Sequence, residues 1–216
     1  VQIPDSVETI GYAAFSHCRS LSAVAIPPSV ASITGNPFPG CSHPVSIDLS
    51  RNSNFIYKNG VLYDREMACL ICCDESKSGN YSVSTTVESI SKEAFFNCAR
   101  LVSITIPDSV ESIDEGAFSR CYNLQSIAIP DSVHLVGDWA FYGCRGLTLV
   151  SLPESITSIG EGTFYDCISL ESLTIPCSVT SIGESAFHFS GLKSLTIPES
   201  VLSIGNYALE GCEMLE

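Results

Sequence analysis

The fold is decided by the stretch Ile106-Pro107-Asp108-Ser109-Val110, which is followed by Ile113, Ala117-Phe118, Cys121, Leu124, Ile127 and Ile129. The same order of residue types begins again at Ile129, Leu152 and Ile175, at intervals of 23 residues, and at Ile197 after 22. A constant period of this length is typical of a solenoid, in which each repeat is one supersecondary unit stacked on the next. Equivalent positions therefore form columns, and candidate functional residues must be sought column by column.

Within one repeat, alternation of apolar and polar residues predicts a short strand with Ile127 and Ile129 facing inward. Proline ends that strand, and a second extended stretch follows. We then expect a short helical turn at Ala140-Phe141, capped by Asp138. Because a single unit of 23 residues buries little apolar surface, stacking on neighbouring units is required for folding.

The period is interrupted after the second repeat by an insertion with its own pattern. Asn59-Gly60 lies between the apolar runs Phe55–Lys58 and Val61–Asp64, and it predicts a two-residue hairpin turn. A third run, Ala68–Cys72, extends the hairpin to a meander, which we expect to project from the second unit. Residues 74–80 are expected to form a polar return loop.

Composition limits the partners. The chain of 216 residues has 24 acidic and 10 basic residues and a net charge of −14, which argues against contact with nucleic acid or anionic lipid. No run of 18 apolar residues predicts a membrane span. The chain opens and closes inside repeats and looks like a fragment, so the lack of a leader carries little weight. We predict one domain, 1–216, with repeats over 1–41, an irregular repeat with the insertion over 42–81, and regular repeats over 82–216.

The columns follow the pattern xxLxxIxIPxSVxxIGxxAFxxCxx, which resembles the leucine-rich repeats of the BspA-like, or Treponema pallidum, type. The resemblance covers residues 1–41 and 81–216, and the excursion from Phe55 to Gly79 is similar to an insertion of that family. The predicted fold is an α/β solenoid, mostly β with short helical turns. It is a right-handed superhelix of about eight 22–23-residue repeats with a parallel sheet on the concave face. Departures from the Ala, Cys and Phe columns occur at Thr163, Ser190 and Leu209.

The resemblance implies a surface or secreted bacterial or protist protein that adheres to host matrix proteins, other cells or epithelia and is not an enzyme. The predicted function is therefore non-enzymatic recognition of a host or neighbouring-cell protein, outside the cell, at its surface or in the periplasm. The cytoplasm stays open, because richness in thiols favours a reducing compartment. The alternative is a structural scaffold, a homo-oligomer in which exposed repeat ends stack chain on chain.

Eleven cysteines would suggest disulfides or metal binding, but seven of them share one column. These are Cys18, Cys41, Cys98, Cys121, Cys144, Cys167 and Cys212. A column of small, mildly polar side chains predicts buried thiols, while disulfides between neighbouring coils remain an alternative. Cys69 and Cys72 have the spacing of a zinc-ligand pair, but on a strand they should face opposite sides, and no histidine is close in sequence.

No cofactor, metal or catalytic group is predicted. Acidic residues recur after the proline and before the turn, but calcium needs six to eight oxygens around one point, so we interpret these columns as turn and cap residues. His17, His43, His134 and His188 occupy different columns, and no hydrolase or metalloprotease motif is present. The serines of the Pro-x-Ser column, Ser109, Ser132, Ser155 and Ser178, are interpreted as turn formers.

Two surfaces are predicted to bind protein. The first is the outward face of the concave sheet, where small side chains in two columns would admit a close partner in a broad, weak contact centred on Leu149. Its residues are Ser103, Thr105, Ser126, Ala128, Leu149, Ser151, Ser172, Thr174, Ser194 and Thr196. The second is the insertion, where Phe55, Tyr57 and Tyr63 would form an exposed aromatic prominence. The alternative, which is left open here, is that these rings pack the meander onto the solenoid.

Overall fold

The computed structural model describes residues 1–41 and 45–216, so residues 42–44, the first three of the predicted irregular repeat, lie outside the described part. It is a solenoid of about eight coils. Each regular coil has a strand on its front, a second strand on its side, and a turn segment. The front strands are β2 Ala23–Ala25, β4 Ser46–Asp48, β8 Ser78–Ser82, β10 Arg100–Thr105, β12 Ser126–Ala128, β14 Leu149–Ser151, β16 Ser172–Thr174 and β18 Ser194–Thr196.

The side strands are shorter, and three further strands belong to the insertion. The side strands are β1 Thr9–Gly11, β3 Ser32–Thr34, β9 Ser89–Ile90, β11 Ser112–Ile113, β13 Leu135–Val136, β15 Ser158–Ile159, β17 Ser181–Ile182 and β19 Ser203–Ile204. The insertion strands are β5 Phe55–Lys58, β6 Val61–Asp64 and β7 Cys69–Cys73. Each front or side strand pairs in parallel with at least one equivalent strand of an adjacent coil, and the described pairings are interrupted between β4 and β8, β14 and β16, β3 and β9, and β13 and β15. This is the arrangement expected when identical residue types recur at one period.

The turn segments contain no helix in the described residues, so the helical turn predicted at Ala140-Phe141 is wrong. Most coils instead place two residues, four positions apart, in the left-handed region of backbone space, and these interrupt any right-handed helix. We call them the first and second left-handed positions. The first positions are Ala13, Glu93, Gly116, Trp139, Gly162, Ser185 and Tyr207, and the second are His17, Gly40, Asn97, Arg120, Gly143, Asp166, Phe189 and Gly211.

Backbone hydrogen bonds join each turn segment to the next, which explains why a helix is unnecessary. Gly116 N donates to Asp138 O (2.9 Å), and Phe118 N donates to Ala140 O (2.8 Å). The same pattern recurs one coil later, where Trp139 N donates to Glu161 O (2.7 Å). The turn face is therefore a third hydrogen-bonded surface of the solenoid, and its backbone groups are satisfied between coils rather than within them.

The core is built from columns of identical side chains. Five fully buried phenylalanines form one continuous stack with ring centroids 5.3–5.5 Å apart and interplanar angles of 5–15°. They are Phe95, Phe118, Phe141, Phe164 and Phe187. Offset stacking of this kind stabilises a pair by about 0.5–1.5 kcal/mol beyond the burial of apolar area. The Phe column is therefore a major source of coil-to-coil cohesion.

The sequence predicted that the insertion projects from the second unit, and this prediction is wrong. Strands β5, β6 and β7 form the predicted antiparallel meander, but β7 also pairs in parallel with β9, so the meander continues the side sheet. Both faces of β6 and β7 are covered: Val61 and Leu70 pack in the cluster of the later coils, whereas Leu62 and Ile71 pack in the cluster of the first coils. The meander therefore divides the core and cannot stand away from it.

The polar return loop predicted for residues 74–80 is wrong in its second half. Ser78–Ser82 forms β8, which pairs in parallel with β10 through Asn80 and Ser103 and supplies the front strand of its coil. This strand was not predicted because its residues are mostly polar and only alternate ones are partly buried, so it lacks the apolar pattern of the other front strands.

Candidate binding surfaces

The front sheet brings the predicted small side chains into register. Ser103 pairs with Ser126, which pairs with Leu149, and in the other column Thr105, Ala128 and Ser151 are aligned in the same way. Ser172 and Thr174 pair with Ser194 and Thr196. Within the described backbone pairings, β14 is not joined to β16, so the ten residues form a block of six and a block of four.

Leu149 is the large apolar residue of this surface, and the residue is 65% exposed. Its neighbours in the two columns are serine, alanine and threonine, of which Ser103 and Ser126 are half-buried and the others exposed. A flat surface of this kind lacks the Trp, Tyr and Arg side chains that dominate the energy of most protein interfaces. It can supply contact area but few strong anchors.

The aromatic prominence predicted on the insertion is wrong for two of its three rings. Phe55 and Tyr63 are only 7% and 4% exposed. The Tyr63 hydroxyl lies 2.9 Å from that of Tyr81, and the half-buried Tyr57 hydroxyl donates to Val45 O at 3.4 Å. The rings are buried because the meander is covered on both faces, and this burial raises the pKa of Tyr57 to about 12.

The cysteine column is a ladder of hydrogen-bonded thiols, and none of the eleven cysteines is in a disulfide. The thiols of Cys121, Cys144 and Cys167 donate to the carbonyl of the phenylalanine 26 residues earlier, with Sγ–O distances of 3.1–3.3 Å. Burial raises the pKa of Cys144 to about 12 and those of Cys121 and Cys167 well above their ordinary value. These thiols stay protonated and unreactive, so their role is to connect coils.

The Pro-x-Ser and acidic columns also connect coils. Ser109 and Ser132 donate to the carbonyls of Val87 and Val110 in the preceding coil, at 2.7 Å. They are therefore more than the turn formers that the sequence suggested. Asp138 does not cap its own turn: its Oδ1 accepts a hydrogen bond from the backbone N–H of Glu161 in the next coil (2.8 Å). In each case a polar side chain satisfies a backbone group of an adjacent coil.

Cys69 and Cys72 both contact the cluster of the first coils, contrary to the prediction that they face opposite sides. A register shift between β6 and β7 places the extra residue of a bulge between them and reverses the alternation. Within the described ranges, no group of three His, Cys, Asp or Glu side chains is placed to hold a metal ion. His17 lies against Gly40 and His188 stacks on Tyr165, whereas His43 lies outside the described residues.

The turn face carries an aromatic surface that the sequence pattern did not indicate. The side chains of Trp139 and Phe189, at left-handed positions, lean over glycine in the next coil, Gly162 and Gly211. A Cβ on Gly162 would lie 2.1 Å from the indole of Trp139, and one on Gly211 would lie 2.2 Å from the ring of Phe189. The sequence feature that could have indicated this surface is an aromatic residue with a glycine at the equivalent position of the next repeat.

Trp139, Tyr142 and Tyr165 line a groove of about 400 Å³ on the turn face, which we call the aromatic groove. Trp139, Tyr142 and Tyr165 are half-buried, and their ring centroids are 5.4–5.8 Å apart. The guanidinium of Arg120 lies 5.8 Å from the ring centroid of Tyr142, and Glu115 contributes negative charge to the lining. The groove therefore combines rigid aromatic surface with both signs of charge.

Comparison with known proteins places this architecture in a family. A family model of the BspA-type leucine-rich repeat region matches six copies over residues 1–70 and 88–216. No curated protein matches the chain. Such repeats are non-enzymatic and serve as protein-binding or scaffold elements, and proteins that carry them are often surface-associated. In the described residues of this chain, no helix is long and apolar enough to cross a membrane.

Solved structures show the same fold at low sequence identity. A leucine-rich repeat protein from Eubacterium ventriosum aligns over 98% of this chain and 64% of its own, with 23% identity and a TM-score of 0.78. The pneumococcal vaccine antigen PcpA aligns over 95% and 47%, with 21% identity and a TM-score of 0.62. The chain thus spans less than two thirds of either protein. With most of its length matched by the family model, the chain belongs to the BspA-type leucine-rich repeat family.

Proposed function

We propose that this chain is a protein-recognition module of a secreted or surface-exposed protein, and that it binds a host or neighbouring-cell protein. The observation that carries the proposal is the aromatic groove. Trp, Tyr and Arg are the residues that most often dominate binding energy, and here Trp139, Tyr142 and Arg120 lie together on one accessible surface. Their rings are held by neighbouring coils, so little side-chain entropy is lost on binding.

The partner is expected to carry a positively charged surface. The net charge of −14 attracts basic proteins at long range and accelerates their association, especially at low salt. Glu93 and Glu115 line the groove, but Glu115 is paired with Lys92 at 2.7 Å, so the attraction rests on the net charge of the whole chain. The groove then provides the contacts that slow dissociation.

The front sheet is proposed as a second, weaker contact surface. Its small side chains let a partner backbone approach several coils at once, and Leu149 supplies an apolar centre. Serine and threonine are also ordinary residues of exposed strands, so this surface carries less weight than the groove. Display of many copies would raise the overall affinity of such a weak contact.

Replacing Tyr142 with alanine should weaken binding to the partner by about thirtyfold or more, the effect of losing a central aromatic anchor worth about 2 kcal/mol. Surface plasmon resonance against immobilised matrix and epithelial surface proteins identifies the partner and measures the change. Tyr122→Ala is the matched control, since this exposed tyrosine lies outside the lining of the groove. If Ser126→Arg with Thr174→Arg abolishes binding while Tyr142→Ala leaves it unchanged, the front sheet is the principal site instead.

A scaffold role is the second candidate, favoured by one observation. Leu202 is 84% exposed and follows Thr157 and Thr180 in an outward-facing column, so a large apolar side chain stands on the outer surface of its coil. An exposed apolar side chain of this kind favours association, here with another copy of the chain. Sedimentation that remains monomeric up to high concentration would argue against this role, whereas association that Leu202→Asp reverses would support it.

A further inference from the structure

A second cleft, of about 560 Å³, opens on the turn face beside the insertion. Its lining includes the side chains of His17, Arg19, Glu75, Asn97, Arg100 and Arg120. Three of the six arginines of the chain therefore lie in one cleft, although the protein has a net charge of −14. This local excess of positive charge requires an explanation.

The cleft exists because the insertion replaces one turn segment. In regular coils the N–H of the second left-handed position donates to the next coil, as Asn97 N does to Ser119 O (2.9 Å). Gly40 has the same position, but its N–H donates to Glu75 Oε1 (2.7 Å). The other oxygen of Glu75 accepts a hydrogen bond from Asn97 Nδ2 (2.5 Å). The Glu75 side chain thus links Gly40 to Asn97 where regular coils have a direct backbone hydrogen bond, and a cleft remains beside it.

The arginines of the cleft are available to a ligand. Arg51 and Arg145 elsewhere in the chain form ion pairs, but within residues 1–41 and 45–216 no carboxylate is paired with Arg19, Arg100 or Arg120. Both oxygens of the Glu75 carboxylate already accept hydrogen bonds, from Gly40 N and Asn97 Nδ2, and burial raises the pKa of Glu75 above its usual value. The cleft therefore presents the guanidinium groups of Arg19 and Arg100 without an ion-pair partner in the described part of the chain, whereas Arg120 lies near enough to Glu93 to offset in part the rise that burial causes in the pKa of that carboxyl.

We propose that this cleft is an anion-binding site that takes a tetrahedral oxyanion, a sulfate or phosphate group, held by the guanidinium groups of Arg19, Arg100 and Arg120. Guanidinium donates two parallel hydrogen bonds to such groups, which gives both strength and orientation. The ring of the buried Phe96 lies 5.5 Å from the guanidinium carbon of Arg120 and supports that side chain from below. The site is separate from the proposed protein contact except that Phe96 and Arg120 line both.

The variants used in the test keep Arg120, which also lines the aromatic groove. A negative result for anion binding therefore leaves the proposed protein contact untouched. The double variant Arg19→Gln with Arg100→Gln removes two exposed guanidiniums of the cleft. The control, Lys58→Gln with Arg65→Gln, removes two exposed cations of the meander that lie outside the cleft. Each pair takes the net charge from −14 to −16, so any difference between them is local.

Backbone amide shifts of the full chain are followed by NMR during titration with sodium sulfate, sodium phosphate, or sodium chloride at matched ionic strength. Saturable shifts at Gly40, Asn97 and Arg100 with sulfate, phosphate or both, and none with chloride, are expected. A response to only one of the two anions shows whether the site prefers a sulfate or a phosphate group. The Arg19 and Arg100 variant should bind at least about tenfold more weakly, and the control should bind as the wild type does. Shifts that do not saturate, or equal weakening in the control, would overturn the proposal.

Discussion

Replacing Phe141 with alanine is expected to lower the free energy of unfolding by about 3–5 kcal/mol, the range for removal of a fully buried phenylalanine. Phe141 is completely buried and lies between Phe118 and Phe164, with ring centroids 5.4 and 5.5 Å away and interplanar angles of 6° and 5°. Truncation removes both stacks and leaves a cavity in the middle of the array. The loss should therefore fall at the upper end of that range.

Urea unfolding followed by circular dichroism and by the fluorescence of Trp139, the single tryptophan, measures this effect. Phe141→Leu is the matched control, because Leu209 already occupies the same column in the last coil. We expect leucine to cost about 1–2 kcal/mol, since most of the volume is kept. A loss below 1 kcal/mol for alanine, or equal losses for alanine and leucine, would contradict the view that the stack joins the coils.

Replacing Gly137 with alanine is expected to cost about 1–3 kcal/mol through steric overlap, although the change adds only one methyl group. A Cβ at this position would lie 2.4 Å from the backbone nitrogen of Glu115 and 2.6 Å from the carbonyl carbon of Asp114. Both atoms belong to the backbone of the preceding coil, so neither can rotate away. The two coils would have to separate locally and lengthen the hydrogen bonds between them.

Gly11→Ala is the control, because Gly11 holds the same column in the first coil and a Cβ there meets nothing within 4 Å. It should be neutral or stabilise the protein slightly by restricting the unfolded chain. Thermal unfolding of both variants by calorimetry decides the matter. Equal melting temperatures would show that the column tolerates a side chain everywhere, as it does at Asp114, and that glycine is not required for the close approach of coils.

The insertion shows how far local pattern can be trusted. Asn59-Gly60 and its flanking runs predicted the hairpin correctly, because a two-residue turn depends on nearest neighbours. The place of the meander was predicted incorrectly, because it depends on the pairing of β7 with β9, some 20 residues further along the chain. Burial of Phe55 and Tyr63 follows from that pairing, and with it the loss of the predicted aromatic prominence.

The sequence by itself determined the solenoid, its family and its core, because side chains repeated at one period must stack when coils of equal length are superimposed. The Phe and Cys columns were therefore predictable from spacing alone. Only the tertiary structure decided where the proposed binding surfaces lie. The aromatic groove needs Trp139 to lean over Gly162, and the proposed anion site needs Glu75 to link Gly40 to Asn97. The left-handed positions do not follow the apolar periodicity of the repeats, so the sequence pattern does not mark them. Contacts between coils depend on the three-dimensional path of the chain. Neither surface could therefore be predicted from the sequence pattern.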